Sequence, residues 1–153
     1  MKGTRIQVSK RKDLVVESPI RKLVPYADAA KAAGTKVFHL NIGQPDIETV
    51  PAIRSAYGNI PQVVAYGPSQ GLPELRQKFS EYYAHYGLNL DQQHIYVTSG
   101  GSEAITFALM AVTSPGDEII IPEPYYANYN GFAAMSGAKV VPVTSRLENG
   151  FHL

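Results

Sequence analysis

The chain has 153 residues, of which 44% are hydrophobic and 18% are charged, and its formal net charge is +1. This length and composition are typical of one globular domain with a substantial core. A nearly neutral chain lacks the basic excess of nucleic-acid-binding proteins, and the absence of cysteine excludes disulfides, thiolate zinc sites and thiol catalysis. No apolar run reaches the length of a membrane span, and no signal-peptide core opens the chain. We therefore expect a cytoplasmic protein that binds neither nucleic acid nor membrane.

Residues 1–45 are expected to form an N-terminal arm, a helix and a first loop. Basic residues crowd the first twelve positions, which is typical of a solvated or flexible arm. The pattern that follows predicts a helix from Ser18 to Gly34, with a kink or a restart at Pro25. The apolar run 37–40 then predicts a short strand that leads into a loop containing glycine and proline.

Residues 46–99 alternate between helical patterns and extended runs. A short helix is expected at 50–57 and a longer one at about 72–86, with Gly87 as the stop signal of the second. Between these helices the run 63–66 predicts an extended segment, which is closed by a turn rich in glycine and proline.

A β-rich run at 95–98 is followed by the pair Gly100 and Gly101 and then by a helical pattern. A strand, a tight turn and a helix start in this order place unpaired N–H groups and a positive dipole end at the turn, where an anion can bind. Ser102 can cap the helix or donate its hydroxyl to a phosphate oxygen. Neither the dinucleotide motif nor the P-loop motif is present at this turn. The alternative interpretation is the small-residue turn that any α/β protein needs.

The last forty residues continue the alternation of strands and helices. We expect a turn at 114–117, a buried strand at 118–121, a helix at 125–136 and a strand at 139–143. Together with the strand at 95–98 this is a β-α-β-α-β order, which predicts parallel strands with right-handed crossovers. Ligands of such sheets bind at the carboxyl ends of the strands, where the glycine turn and the tyrosines near 125 both lie.

Four separated motifs carry a resemblance to a known family. They are Leu-Asn-Ile-Gly-Gln-Pro-Asp at 40–46, Tyr-Gly-Pro-Ser-Gln-Gly-Leu-Pro-Glu-Leu-Arg at 66–76, Val-Thr-Ser-Gly-Gly-Ser-Glu-Ala at 97–104 and Pro-Gly-Asp-Glu at 115–118. In this order they resemble the class I/II aminotransferases, fold-type I enzymes that use pyridoxal 5′-phosphate (PLP). The resemblance implies that 46–153 are the first part of the PLP-binding large domain, an α/β domain with a mainly parallel sheet and helices on both faces. It also implies that the N-terminal arm and helix precede this domain.

The resemblance implies a role for individual residues. Gly101, Ser102 and Glu103 match the helix start that cradles the cofactor phosphate, and Glu103 would contribute its backbone N–H. Tyr66 matches the tyrosine that binds the phosphate across the interface of a homodimer. Tyr126 matches the aromatic residue that stacks on the pyridine ring, where a flat apolar face shields the ring from water. Helix packing is the alternative role of Tyr126, and core packing that of Tyr66.

Gly43 matches a glycine whose backbone lies near the α-carboxylate of the substrate, an amino acid or a 2-oxo acid, although a turn glycine needs no such role. Transamination also requires a Schiff-base lysine, an acid that pairs with the pyridinium nitrogen and an arginine for the substrate carboxylate. The family motifs for these groups are expected beyond Leu153. We interpret five lysines as surface or strand-flanking residues: Lys22, Lys31, Lys36, Lys78 and Lys139. We therefore expect an N-terminal portion of an aminotransferase with no catalytic residue and no metal site, inactive by itself.

Two alternatives stay open at this point. Another fold-type I enzyme, such as a C–S lyase or a decarboxylase, would carry similar residues at Gly43, Tyr66, Gly101 and Tyr126, because these serve the cofactor more than the reaction. A non-catalytic α/β domain would instead use the helix start at Gly101 and Ser102 for another phosphate ligand, without PLP.

Overall fold

The computed structural model describes residues 7–15 and 17–153. Seven regular elements follow one another along the chain: α1 (Val24–Ala32), α2 (Pro51–Ala56), α3 (Pro73–Ala84), α4 (Gly101–Val112), β1 (Glu118–Glu123), α5 (Asn128–Ser136) and β2 (Lys139–Thr144). Short 3-10 helices stand at Lys10–Asp13, Arg21–Leu23, Tyr57–Asn59, Gln92–His94 and Leu147–Asn149. The chain divides into two compact units, which we call unit 1 (residues 1–41 and 100–153) and unit 2 (residues 42–99).

A parallel β-α-β arrangement forms the centre of unit 1. Strands β1 and β2 pair in parallel from Glu118 opposite Lys139 to Glu123 opposite Thr144, and α5 connects them. The run of β-branched residues in each strand favours this pairing. The α/β class and both strands are therefore confirmed. The expectation of a buried β1 is wrong, because its side chains alternate in exposure and Ile120 is 72% exposed.

Helix α5 carries the buried part of unit 1. Phe132, Ala133 and Ala134 are buried, as is Ala138 just beyond the helix. Gly137 ends the helix in the left-handed conformation with φ +85°, and its N–H and that of Ala138 donate back to carbonyls of the last turn. The predicted stop at this glycine is confirmed.

The segment that precedes α1 lies against α5. Val15, Ser18 and Pro19 line the same groove as Phe132 and Met135, and α4 also packs against α5. This N-terminal segment and α5 thus form the two sides of one groove. Part of the predicted arm, residues 1–6 and 16, lies outside the described residues.

The predicted helix between Ser18 and Gly34 is present as two pieces. A 3-10 turn at Arg21–Leu23 precedes α1, and Pro25 stands in the first turn of α1. Proline is tolerated there because its missing N–H would have no intrahelical acceptor. The expected restart at Pro25 is therefore confirmed, and Gly34 follows the helix with φ +85°.

The predicted strand at 37–40 is wrong. The backbone there is irregular, Leu40 is 95% exposed, and the Leu40 N–H donates to the carbonyl of Phe38 at 3.1 Å. An apolar run becomes a strand only when a neighbouring strand accepts its backbone hydrogen bonds. In this segment the local turn bond takes the Leu40 N–H instead.

Helices α2 and α3 are the regular elements of unit 2. Both begin at a proline, Pro51 and Pro73, whose fixed φ suits the first helical position. Helix α3 ends at Ala84, and Gly87 follows with φ +79° and an N–H that donates to the Ala84 carbonyl at 3.0 Å. The extended run predicted at 63–66 has no regular structure.

The strand predicted at 95–98 is also wrong. Val97 donates its N–H to the Gln70 carbonyl at 2.9 Å, and Ile95 donates back to Gln92 at 3.3 Å. One bond to a neighbouring segment and one local bond do not make a ladder. The observed order in the described chain is therefore β-α-β, not the predicted β-α-β-α-β.

Candidate functional site

The start of α4 is built by two glycines. Gly100 is the N-cap residue with φ +87°, a conformation that favours glycine, and the helix begins at Gly101. Ser102 is the second residue inside the helix, so the expectation that its side chain caps the helix is wrong. Its carbonyl accepts a hydrogen bond from the Thr106 hydroxyl at 2.8 Å. The alternative role of Ser102, donating its hydroxyl to a phosphate oxygen, stays a prediction.

The donor set at this turn suits an anion. N–H groups in the first turn of a helix have no intrahelical acceptor, and the helix dipole adds a partial positive charge. A Cβ built on Gly100 or on Gly101 would meet no atom within 4 Å, so the space beside the turn is open. The Ser102 hydroxyl adds one side-chain donor. Backbone N–H groups and a hydroxyl in an open turn fit a phosphate dianion.

Glu103 is the acidic residue of the same first turn. A carboxylate at this position stabilises the helix through the dipole, but it would repel a phosphate if both occupied the same side of the turn. Glu103 therefore suits an anion site only through its backbone N–H.

Three tyrosines follow β1, and Tyr126 is the most exposed of them, with 49% of its surface open. Its hydroxyl accepts a hydrogen bond from Asn128 Nδ2 at 2.6 Å. Its ring stands edge-on to that of Tyr129, with centroids 5.8 Å apart and an interplanar angle of 85°. Tyr129 in turn packs against Phe132 at 6.3 Å. The Tyr126 ring is thus oriented by neighbours while half of it is free to contact another flat group.

Polar contacts also close the carboxyl ends of the two strands. The Thr144 hydroxyl donates to Glu123 Oε2 at 3.2 Å, and the Ser145 N–H donates to the Glu123 carbonyl at 3.2 Å. The Ser145 hydroxyl donates to the same carbonyl. The sequence reasoning missed this contact, although an acid and two hydroxyl residues at the ends of paired strands could have predicted it.

Tyr66 and Gly43 belong to unit 2, whereas Gly101, Ser102 and Tyr126 belong to unit 1. Tyr66 is fully exposed. Gly43 is exposed as well, and a Cβ built on it would meet no atom within 4 Å. Each unit therefore carries its own members of the predicted site.

Residues that the sequence reasoning did not select hold the loop that carries Tyr66. Gln70 in this loop accepts a hydrogen bond from the Arg76 guanidinium at 3.0 Å, and the Gln70 carbonyl accepts the one from the Val97 N–H. Gly71 has φ +98° and touches Val97 so closely that a side chain would not fit. An arginine about one turn into a predicted helix that follows a glycine-rich loop was the signal available in the sequence.

No cluster of three or more His, Cys, Asp or Glu residues that could hold a metal ion occurs within residues 7–15 and 17–153. In that same part of the chain, every helix is too short or too polar to cross a lipid bilayer.

The family profile, the sequence relatives and the solved structures that match this chain all belong to aminotransferases. The profile of the family Aminotransferase class I and II matches residues 35–153. The aspartate aminotransferase of Streptomyces avermitilis is 34% identical over 155 residues, which cover 98% of this chain and 38% of that protein. A probable aspartate aminotransferase of Streptomyces griseus is 34% identical, with 96% of this chain and 70% of that protein covered.

Solved structures agree with the sequence relatives. The alanine aminotransferase of Pyrococcus furiosus has a TM-score of 0.86 and 34% identity, with 95% of this chain and 38% of that chain covered. The chain thus spans little more than a third of the length of most of the relatives it matches. The relatives bear names for different amino acids, aspartate and alanine among them.

Proposed function

Because the chain belongs to the aminotransferase class I and II family, we propose that it supplies the phosphate and ring contacts of a PLP site in an aminotransferase. Members of this family use PLP, which when bound acts as an electron sink while an amino group moves between an amino acid and a 2-oxo acid. The start of α4 carries the proposal. Gly100, with φ +87°, and Gly101 leave open space beside the N-terminus of this helix. The Ser102 side chain adds a hydroxyl in the first turn of the same helix.

The residues of the chain would divide the binding between them. The N–H groups of Gly101, Ser102 and Glu103 and the Ser102 hydroxyl donate to phosphate oxygens, where the helix dipole favours a dianion. The Tyr126 ring covers one face of the pyridine ring and excludes water from it. Tyr66 donates its hydroxyl to the phosphate bound by the other subunit of a homodimer.

The proposed function also assigns the substrate contact and the domain organisation of the protein. Gly43 brings its backbone near the substrate carboxylate, and the absence of a side chain leaves room for it. Residues 1–45 form the arm, helix and first loop, and 46–153 form the first part of a large domain with a mainly parallel sheet and helices on both faces. The reactive lysine, the acid and the arginine are expected from motifs beyond those present here.

A calorimetric titration with pyridoxamine 5′-phosphate tests the proposal. This form of the cofactor lacks the aldehyde that would label surface lysines, and pyridoxamine is the matched ligand without the phosphate. We expect saturable binding of the phosphorylated ligand that is at least about tenfold tighter than that of pyridoxamine, or about 1.4 kcal/mol. Equal affinity for the two ligands, or binding of neither, would exclude a phosphate site at α4.

A further inference from the structure

Arg76 joins two separate segments of unit 2. It stands in the first half of α3, and its Nη1 donates to Gln70 Oε1 at 3.0 Å and to the Gln92 carbonyl at 3.1 Å. Gln70 belongs to the segment 66–71, which we call the Tyr66 loop. Gln92 belongs to the 3-10 turn that leads into the segment 95–99, which we call the entry segment because the chain passes from it into the glycine turn of α4.

The Tyr66 loop and the entry segment also touch each other directly. The Val97 N–H donates to the Gln70 carbonyl at 2.9 Å. A Cβ on Gly71 would lie 2.5 Å from Val97 Cγ2, so the two backbones approach as closely as glycine permits. Ile95, two residues before Val97, is buried. One guanidinium group and one backbone bond therefore fix the register of these two segments.

One polar atom of the Arg76 guanidinium takes no part in these contacts. Arg76 Nε is buried and has no hydrogen-bond partner among the described residues. A buried donor without an acceptor lowers the stability of the folded state. The two bonds that Nη1 donates to Gln70 and Gln92 oppose this cost, and they fix where the guanidinium lies between the two segments.

We propose that Arg76 is a positioning residue for the phosphate of the cofactor. It holds the Tyr66 loop against the entry segment through Gln70 and Gln92, so that Tyr66 and the segment that leads into the glycine turn keep fixed backbone conformations. Arg76 does not touch the cofactor in this role. The inference rests on the proposed function, since it assigns an indirect contribution to the same phosphate site.

Paired variants of the two hydrogen-bonding side chains test the inference in the calorimetric titration described above. Gln70→Leu removes the acceptor of Arg76, whereas Gln70→Glu keeps an acceptor of the same length. Arg76→Met removes the donor, and Arg76→Lys keeps the charge with a different geometry. Lys78→Met, on the exposed face of the same helix, is the matched control because Lys78 pairs with Glu81 and not with either segment.

We expect Gln70→Leu and Arg76→Met to weaken binding of pyridoxamine 5′-phosphate by about tenfold, because the Tyr66 loop and the entry segment lose one or both of the bonds that hold them together. Gln70→Glu and Lys78→Met should bind like the parent chain, and Arg76→Lys should fall between. Binding of pyridoxamine should change in none of them. The ³¹P chemical shift of the bound ligand should also move in the two weakened variants and stay in place in the controls.

The outcomes separate the two proposals. If the parent chain does not distinguish pyridoxamine 5′-phosphate from pyridoxamine, the proposed function itself fails. If the parent chain does distinguish them but Gln70→Leu and Arg76→Met bind as the parent does, Arg76 has no positioning role and the proposed function stands. A loss of affinity for both ligands in Gln70→Leu would mean a general structural effect and would also overturn the inference. Gln70 lies in a loop, so its two variants keep the test valid if Arg76→Met does not fold.

Discussion

Gly71 and Val97 approach each other so closely that a Cβ built on Gly71 would lie 2.5 Å from Val97 Cγ2 and 2.6 Å from Val97 Cβ. Real Cβ atoms do not occupy such positions, because the overlap lies far inside van der Waals contact. The backbone of Gly71 also has φ +98°, which L side chains rarely adopt. Two independent reasons therefore require glycine at this point.

Gly71→Ala is expected to destabilise the protein by roughly 2–4 kcal/mol, because the methyl group adds both steric overlap and backbone strain. Urea denaturation of parent and variant measures the difference. Gly58→Ala is the control, since a Cβ there meets no atom within 4 Å and φ is not in the left-handed region. It should change the free energy of unfolding by less than about 0.5 kcal/mol. Equal effects of the two substitutions would contradict the close approach to Val97.

Ser102→Ala separates a phosphate contact from a helix cap. Ser102 lies inside α4 and its side chain does not cap the helix, so alanine, a better helix former, should leave the Tm unchanged or raise it slightly. Affinity for pyridoxamine 5′-phosphate should fall by about fivefold to tenfold through the lost hydroxyl. A lower Tm with unchanged affinity would assign the hydroxyl to the helix instead of the ligand.

Tyr126→Phe and Tyr126→Leu distinguish a flat ring from mere apolar bulk. Phenylalanine keeps the ring and loses the hydroxyl that accepts from Asn128, so we expect cofactor affinity within about threefold of the parent value. Leucine should weaken binding by about tenfold, because it cannot stack. The measurement is the dissociation constant of pyridoxamine 5′-phosphate for each variant, and Tyr125→Leu is the control. A Tyr126→Leu variant that binds normally would contradict the stacking role.

The ion pair on the surface of α3 should be visible in a pH titration. Lys78 Nζ donates a hydrogen bond to Glu81 Oε2 at 2.6 Å, and this bond holds the pKa of the Glu81 carboxyl below its ordinary value. A hydrogen bond from Gln77 lowers the same pKa by less. A carboxyl whose pKa is lower in the folded state than in the unfolded state stabilises the fold at pH values above the unfolded-state pKa. This stabilisation is lost as the pH falls through the folded-state pKa. Lys78→Met should raise the pKa of Glu81 toward its ordinary value, measured by carbon NMR of the side-chain carboxyl. Gln77→Ala should raise it less, and an unchanged pKa in Lys78→Met would mean that the pair is not formed in solution.

Local signals were sufficient for the helices and for the paired strands. The glycines after α3 and α5 act within a few residues and correctly predict that these helices stop there, whereas α5 begins at Asn128 and not at the predicted 125. The apolar runs of β1 and β2 are separated by one helix, so the predicted parallel pairing joined elements that are close in sequence.

Whether an apolar run forms a strand depends on a second segment that pairs with it, and the residues of the run do not show whether that segment is present. The runs 37–40 and 95–98 have the residues of a strand, but their backbone N–H groups donate to a local carbonyl or to a single distant one. In the candidate site, too, local features could be predicted and contacts between distant segments could not. The glycine turn at α4 could be predicted from its own residues, whereas the contacts of Arg76 with Gln70 and Gln92 join segments up to sixteen positions apart.

The β-α-β arrangement of unit 1 has a consequence for the order in which the protein gains structure. β1, α5 and β2 follow one another within residues 118–144, and all of the buried residues described in unit 1 lie in α5 or directly after it. Closing such a short loop costs little chain entropy, so these contacts can form before the distant ones of the N-terminal segment. Amide hydrogens of β1, α5 and β2 should accordingly exchange with solvent as one cooperative group, and more slowly than those of α1 and α2.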